Sequence, residues 1–559
     1  MEVIYFQMEC KTTGLLTLSP IQPTWWQQGV IYQIYLRSFQ DSNGDGIGDL
    51  AGVIERLDYL SHVLGINALW LTPFYPSPMA DGGYDVADYL DVDPRFGDLA
   101  TFDRLISEAH ARDLHVIIDY VPNHTSDQHP WFVQSRSSHD NIRHDWYIWA
   151  DPRPDGSPPN NWLSVFGGSA WSWDTTRQQY YLHSFLPQQP DLNWRHPAVK
   201  AAMFEVLRFW LERGVDGFRI DVAHFLMKDP SLRDNPPNPS MSPTFWRSFG
   251  AYDSQLHLYD HAHPDVHHIY RELRQLLESY SQQQPRVSIG ELYRPDMGAW
   301  ATFYGRDLDE LHLPFNFRLL ATPWNALAIR QSVDELEAVV PTGAWPNYVL
   351  GNHDEPRVAS RLGHAQARVA MLLLLTLRGT PTLYYGDEIG MQNVSIPPEH
   401  LDDLWERNLP GLNLGRDQER TPMQWDNSTH AGFCPPEVNP WLPIIQIDTQ
   451  HNVVAQLTNP SSMLSLTRRL LQLRRTYPAL SIGNYRAINT NMEDCFVYMR
   501  QNGPQRLLIA LNFAQVEQEL HLIEWDTGRI LLSTHLDREG QVDLAHLTLR
   551  GDEGCIIGI

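Results

Sequence analysis

Cysteine is scarce: four residues, Cys10, Cys434, Cys495 and Cys555, are scattered through 559 positions. With no CxxC pair and no Cys/His spacing of a zinc site, they do not outline a metal finger, and disulfide scaffolds are small and cysteine-dense. Reduced thiols in a cytoplasmic protein are expected. Basic residues are in deficit as well, 42 Lys and Arg against 67 Asp and Glu, for a formal charge of -25. Such a chain repels polyanions, which excludes nucleic acid and an anionic membrane surface as partners and leaves a neutral or cationic small molecule. Long apolar runs are also missing. MLLLLTL, residues 371–377, falls far short of the roughly 18 apolar residues of a membrane-spanning helix. The opening MEVIYFQMECKTTGLL is interrupted by acidic residues and a lysine, so neither a signal peptide nor an anchor is expected. Internal repeats and low-complexity tracts are lacking.

What is present is a large apolar inventory, 42% hydrophobic and 11% aromatic, in a chain long enough for two or three domains. From Trp25 onward, short apolar runs alternate with segments of helical period. The strand candidates are VIYQIYL (30–36), INALWLTP (66–73), LHVIIDYV (114–121), GFRIDVA (217–223), RVSIGELY (286–293), YVLGNHD (348–354) and TPTLYYGDE (380–388), with a weakly patterned eighth near ELHLPFNF (310–317). LAGVIERLDYLSHVLG, ATFDRLISEAHARD, AVKAAMFEVLRFWLERG and VHHIYRELRQLLESY supply helices between them. Roughly eight strand-helix units predict an α/β protein built on a closed (β/α)8 barrel. Two regions break the alternation. Residues 125–194, rich in Trp, Tyr, Pro, Asn and Asp, read as an inserted loop-rich subdomain after the third strand, and residues 481–559 read as an all-β C-terminal domain. The barrel then occupies 1–124 and 195–480, with residues 1–24 as an N-terminal extension.

Barrels of this type carry their chemistry at the C-terminal strand ends, and the polar residues of this sequence gather there. Asp119, Asn123 and His124 follow the third strand, Arg219, Asp221 and His224 the fourth, Glu291 the fifth, and Asn352, His353 and Asp354 the seventh. One such carboxylate could be a structural partner for an arginine. Several of them, at separate strand ends and mostly beside His or Arg, are costly to bury unless function requires them.

DYVPNH, GFRIDVAH, IGELY and GNHDE, in that order, resemble the conserved regions of the α-amylase family of glycoside hydrolases. QPDLNW (189–194) and GRDQERTPMQW (415–425) are similar to its α-glucosidase and oligo-1,6-glucosidase branch. The resemblance implies two-carboxylate retaining hydrolysis. Asp221 would be the nucleophile and Glu291 the acid/base, with carboxyls about 5 to 5.5 Å apart. Arg219, on the same strand face as Asp221, would keep that acid ionised, and Asp354 would be the third acid, gripping sugar hydroxyls. His124 and His353 match hydroxyl-binding histidines. Asp81 and Tyr84 match the aspartate and stacking tyrosine of the terminal-glucose subsite; Arg420, with Arg416 as fallback, matches the arginine partnering that aspartate. Phe166 and Phe185 match pocket-lining aromatics.

The loop DSNGDGIGDL sets oxygen ligands at Asp41, Asn43, Asp45 and Asp49, with the Ile47 carbonyl between them, and has Gly52 where an EF-hand would place a bidentate Glu. The branch has a metal loop of this form after its first barrel strand, so a structural Ca2+ or Mg2+ is implied; the plain alternative is a loop of Asx turns. No organic cofactor is expected. The implied activity is an exo-acting α-glucosidase on short oligosaccharides. A transglycosylase or isomerase of trehalose-synthase type is the near alternative, and a non-catalytic barrel protein, like the transporter-associated heavy chains, the remote one. Val222, directly after the nucleophile position, resembles a selector for α-1,6 linkages. The segment 397–425 looks closer to maltase-like relatives, and α-1,4 cleavage is expected to be favoured. Oligomeric state is left open.

Overall fold

Eight short strands, buried on both faces, form in the regions where the sequence predicts them, each trimmed relative to its apolar run. They are β1 (Ile31–Ile34), β2 (Ala68–Leu71), β3 (His115–Tyr120), β4 (Gly217–Ile220), β5 (Val287–Gly290), β6 (Leu313–Pro314), β7 (Asn347–Val349) and β8 (Thr380–Tyr384). This computed structural model describes residues 23–243, 247–444, 449–490 and 492–559; Cys10 and the segment read above for a signal or anchor lie outside the described residues. The strands run parallel in the spatial order β7-β8-β1-β2-β3-β4-β5-β6. At the seam between β6 and β7, the Asn316 N–H donates to the Asn347 side-chain oxygen at 2.9 Å. The result is a nearly closed barrel.

Alternation divides the strand side chains between two cores. Ile31, Ala68, Trp70, Ile117, Val287, Ile289, Leu313 and Val349 form one cluster, and Tyr32, Ile34, Leu69, Leu71, Val116, Ile118, Phe218 and Ile220 belong to the larger one packed under the helices. Helices Leu99–His110, Pro197–Glu212, Val266–Ser279, Ala326–Val339 and Val358–Thr376 supply that outer layer. Asp98 and Asn325 cap two of them by accepting the N–H groups of Thr101 and Ala328. One expected helix is split: LAGVIERLDYLSHVLG folds as a helix over Leu50–Glu55 and a π-helical turn over Tyr59–Leu64, ended by Gly65 at φ 84°.

After β3 the chain builds a small antiparallel sheet, with Gln179–Leu182 between Trp149–Ala150 and Trp171–Asp174. From Asn484 onward it is β-structured, with a six-stranded antiparallel sheet and a two-stranded pair of Gln518–Leu520 with Leu547–Leu549. Among the described residues no helix is long and apolar enough to cross a membrane. Cys434, Cys495 and Cys555 are buried free thiols.

Candidate active site

Parallel register sets the centre of the site. Asp119 on β3 lies beside Arg219 on β4, which in turn lies beside Ile289 on β5, two residues before Glu291. Arg219 is 1% exposed and divides its guanidinium among three carboxylates: Nη1 donates to Asp119 Oδ1 at 2.8 Å and to Asp221 Oδ1 at 2.7 Å, and Nη2 lies 2.7 Å from Glu291 Oε1. Glu291 also accepts the Val222 N–H on Oε2 at 2.8 Å. Val222 adopts φ 35°, a costly backbone for a β-branched residue, held here by its N–H on Glu291 Oε2 and by the Phe225 N–H on its carbonyl at 2.7 Å. Contrary to the expectation that Arg219 would keep Asp221 ionised, burial and the facing Glu291 push its carboxyl well above the ordinary carboxylate range, and Arg219 pulls it back only in part. Burial likewise raises Asp119 to about 6; the Trp70 indole N–H and the Tyr84 hydroxyl donate to its Oδ2.

Asp354 anchors the other side. Arg420 Nη2 donates to its Oδ1 at 2.8 Å and Arg416 Nη1 at 3.2 Å. Against the upward push of burial, His353 and these two arginines hold the carboxyl below the usual range. Asp81 does not pair with Arg420 as expected. Its Oδ1 is held by Arg416 Nη2 at 2.8 Å, and Arg416 also grips Asp403 through Nε and Nη2. Arg420 is turned toward Asp354 and the His353 carbonyl instead. The two arginines stand four residues apart on a short 3-10 turn, Asp417–Glu419, and sequence alone could not say which faces the β2 loop.

Rings complete the pocket. Tyr84 stacks on His353 with centroids 5.5 Å apart and planes 7° apart, its hydroxyl 2.8 Å from His353 Nε2, while Gln33 holds His353 Nδ1 at 2.7 Å. His124 is kept neutral by burial, its pKa lowered to about 4, and its Nε2 lies 3.1 Å from the Tyr84 carbonyl and 3.1 Å from Gln189 Nε2. Gln189 also donates to Asp81 Oδ2 at 3.0 Å. Phe166 and Phe185 meet edge to face at 6.0 Å, and Phe166 stacks on Trp405 at 4.9 Å. One pocket is lined by Asp81, Tyr84, His124, Phe166, Phe185, Asp221, Glu291, His353, Asp354 and Arg416 together. Residue-level reading missed Phe225, Arg247, Phe249, Tyr293 and Trp405, which share the lining. LDDLWERN carries no strand or motif signal that could have singled out Trp405. His224, noted at the end of β4, is fully buried beside Phe225 and His261 and does not line the pocket.

The loop after β1 folds on its own side chains. Asp41 accepts the N–H groups of Asn43, Gly44 and Gly46, Asn43 that of Asp45, and Asp45 that of Ile47. Asp49 accepts from Ser42 and caps the following helix through Gly52. These are Asx turns. The same donor set is all oxygen and mostly anionic, which is the chemistry a hard divalent cation requires.

The model of the alpha-amylase catalytic domain matches residues 33–483. A probable alpha-glucosidase of Rhizobium meliloti is 41% identical over 94% of this chain and 97% of its own length. An oligo-1,6-glucosidase of Heyndrickxia coagulans is 37% identical over 88% and 92%, and the human amino acid transporter heavy chain SLC3A1 is 37% identical over 98% and 79%. Among solved structures, the alpha-glucosyl transfer enzyme XgtA superposes with TM-score 0.91 at 41% identity, covering 96% of this chain and 100% of that one. The trehalulose synthase MutB of Pseudomonas mesoacidophila MX-45 superposes with TM-score 0.87 at 34% identity, covering 96% and 99%. With its eight-stranded parallel barrel and C-terminal β-sheets, this chain is a member of the α-amylase family of glycoside hydrolases.

Proposed function

We propose that the protein is a retaining, exo-acting α-glucosidase that releases glucose from the non-reducing end of short α-glucosides, favouring α-1,4 linkages. The observation that carries this reading is Arg219, whose single guanidinium touches Asp221 and Glu291 in a pocket also bounded by the buried Asp81–Arg416 pair. In the proposed cycle Glu291 protonates the glycosidic oxygen while Asp221 attacks the anomeric carbon; Glu291 then takes a proton from the water that frees the sugar. Asp354, His124 and His353 would bind hydroxyls, and Asp81 with Arg416 the terminal glucose. The Asp41–Asp49 loop would hold a structural Ca2+ or Mg2+ away from this chemistry. Proton NMR of the first product anomer from maltose, isomaltose, trehalose and sucrose tests the reading. Initial α-glucose is expected; initial β-glucose, or no glucose from any of the four, refutes it.

Glucosyl transfer is the second reading, supported by the close superposition on an alpha-glucosyl transfer enzyme and a trehalulose synthase. A glucosyl-enzyme intermediate can be resolved by water or by a sugar hydroxyl. New disaccharides exceeding free glucose at high acceptor concentration would select transfer over hydrolysis.

A further inference from the structure

The C-terminal strands place three metal-ligating side chains on one outer face, far in sequence from the catalytic acids. Gln518–Leu520 pairs antiparallel with Leu547–Leu549 in the register Glu519↔Thr548 and Leu520↔Leu547. Continuing that register by one residue sets His521 opposite His546, and puts His546 diagonally across from Glu519. Leu520, Leu522, Leu547 and Leu549 are buried, so alternation turns Glu519, His521 and His546 outward together. The three are exposed, and one ligand atom of each lies within 4.8 Å of the others.

Their hydrogen bonds prepare them as ligands. His521 Nδ1 lies 2.6 Å from the Ala545 carbonyl; a backbone acceptor at Nδ1 fixes the tautomer that leaves Nε2 as the free lone pair, the usual support of a metal-bound imidazole. His546 Nδ1 lies 2.8 Å from Glu519 Oε1, so a base and an acid already share one corner. The rings of His521 and His546 stand 5.2 Å apart at 89°. Tetrahedral Zn2+ with bonds of about 2.0–2.1 Å needs ligand atoms about 3.3 Å apart, a closure that exposed side chains reach by small rotations.

A neighbouring group shows what an unsuitable cluster looks like. His535, Asp537 and Glu553 also converge, but Arg550 lies 2.7 Å from both acids and Arg538 lies 2.8 Å from Glu553. Those carboxylates are already neutralised. Among the described residues, the ion-pair partner of Glu519 is His546.

We infer that Glu519, His521 and His546 form a surface site for a borderline divalent transition-metal ion of the Zn2+ class, with solvent in the fourth position. Two imidazoles and one carboxylate suit Zn2+, Ni2+ or Cu2+ and not Ca2+ or Mg2+. Binding would clip the two-stranded pair together. The inference is independent of the catalytic reading.

Calorimetric titration of the full chain with Zn2+ at pH 7.5, in saturating Ca2+ to occupy oxygen sites, provides the test. The wild type is expected to bind one equivalent, and His546→Ala and His521→Ala each to weaken that binding at least tenfold while glucosidase or transfer activity stays at the wild-type level. Substituting Co2+ should give the visible absorption of a nitrogen-ligated ion in the wild type and lose it in both variants. Absence of binding, or the same stoichiometry and affinity in both variants, overturns the site. A variant that loses activity with its metal is checked by Glu519→Gln, which keeps the side-chain shape; unchanged Zn2+ affinity in that variant also counts against the assignment.

Discussion

The backbone N–H of Val222 donates to Oε2 of Glu291 at 2.8 Å, so the residue next to one catalytic candidate positions the other. The bond ties the end of β4 to the end of β5 and helps explain how Val222 keeps φ at 35°. With Arg219 on Oε1, it fixes both oxygens of Glu291 before any substrate arrives, the kind of preorganisation that catalysis by a positioned acid requires.

Asp221→Ala is expected to lower kcat/KM for the best substrate by more than about a thousandfold, because it removes the carboxylate proposed to attack the anomeric carbon. Steady-state kinetics with circular dichroism of the folded variant checks it. Retained activity would remove Asp221 from the nucleophile's role.

Arg219→Met leaves Asp119, Asp221 and Glu291 without their common cation in a buried setting. Breaking one buried ion pair costs about 3–5 kcal/mol, so this variant should lose several kcal/mol in denaturant unfolding and activity with it. Arg219→Lys, which carries the charge but cannot span three carboxylates, should recover stability more than turnover.

Much of this network was legible beforehand, and its limits are physical. Strand alternation placed Asp119, Arg219, Asp221 and Glu291 at barrel ends, and parallel register then forces them together. The Arg416 and Arg420 roles were not legible, because both lie in a loop-rich segment with no periodicity to say which of two arginines four residues apart reaches Asp81. Trp405 and Phe249 were invisible for the same reason: they reach the pocket through long connections with no periodicity. The β6 strand, two residues long, left little apolar pattern to read. The expected single helix over 50–65 failed at a π-helical turn, which helical periodicity does not distinguish from an ordinary one.

Acid should unfold the protein through the pocket. Asp403 is held at about 2 by Arg416, against the upward push of burial. A carboxyl whose folded pKa lies below its unfolded value contributes stability that is complete above about pH 4 and vanishes as pH falls toward 2. The Asp403 share is about 2 kcal/mol by that linkage. His124 acts with the same sign: its lowered pKa of about 4 makes the buried neutral ring a liability as pH drops below about 6.5. Both effects lower Tm on acidification, in successive windows. Thermal melts from pH 7 to about 2 should show an upper decline reduced in His124→Gln and a lower one flattened in Asp403→Asn; identical profiles in all three proteins would reject the assignment.

If the Asp41–Asp49 loop holds Ca2+ or Mg2+, chelator should lower Tm and leave the rate per folded molecule nearly unchanged. Bound metal stabilises by about 2.7 kcal/mol at a hundredfold excess over its dissociation constant. Asp45→Asn, at an exposed ligand position, should reduce the chelator effect. Activity lost without unfolding would place the metal at the chemistry instead.

Linkage preference rests on Val222, which lines the pocket beside Asp221 and Phe225. Its branched side chain resembles the α-1,6 choice of the branch, while the 397–425 segment, which supplies Trp405 and Arg416 to the same pocket, looks closer to maltase-like relatives. One methyl group against a leaving sugar is worth about 1 to 3 kcal/mol, enough to bias a preference and too little to forbid a substrate. Cleavage of α-1,4 linkages is therefore expected to be at least as fast as that of α-1,6. Val222→Thr, which keeps the branched shape required at φ 35° and adds a hydroxyl, should shift the maltose-to-isomaltose ratio of kcat/KM further toward maltose by less than about a hundredfold. Competition between the two disaccharides in one reaction measures that ratio directly. A wild type that hydrolyses isomaltose and leaves maltose untouched would show that the valine outweighs the 397–425 segment.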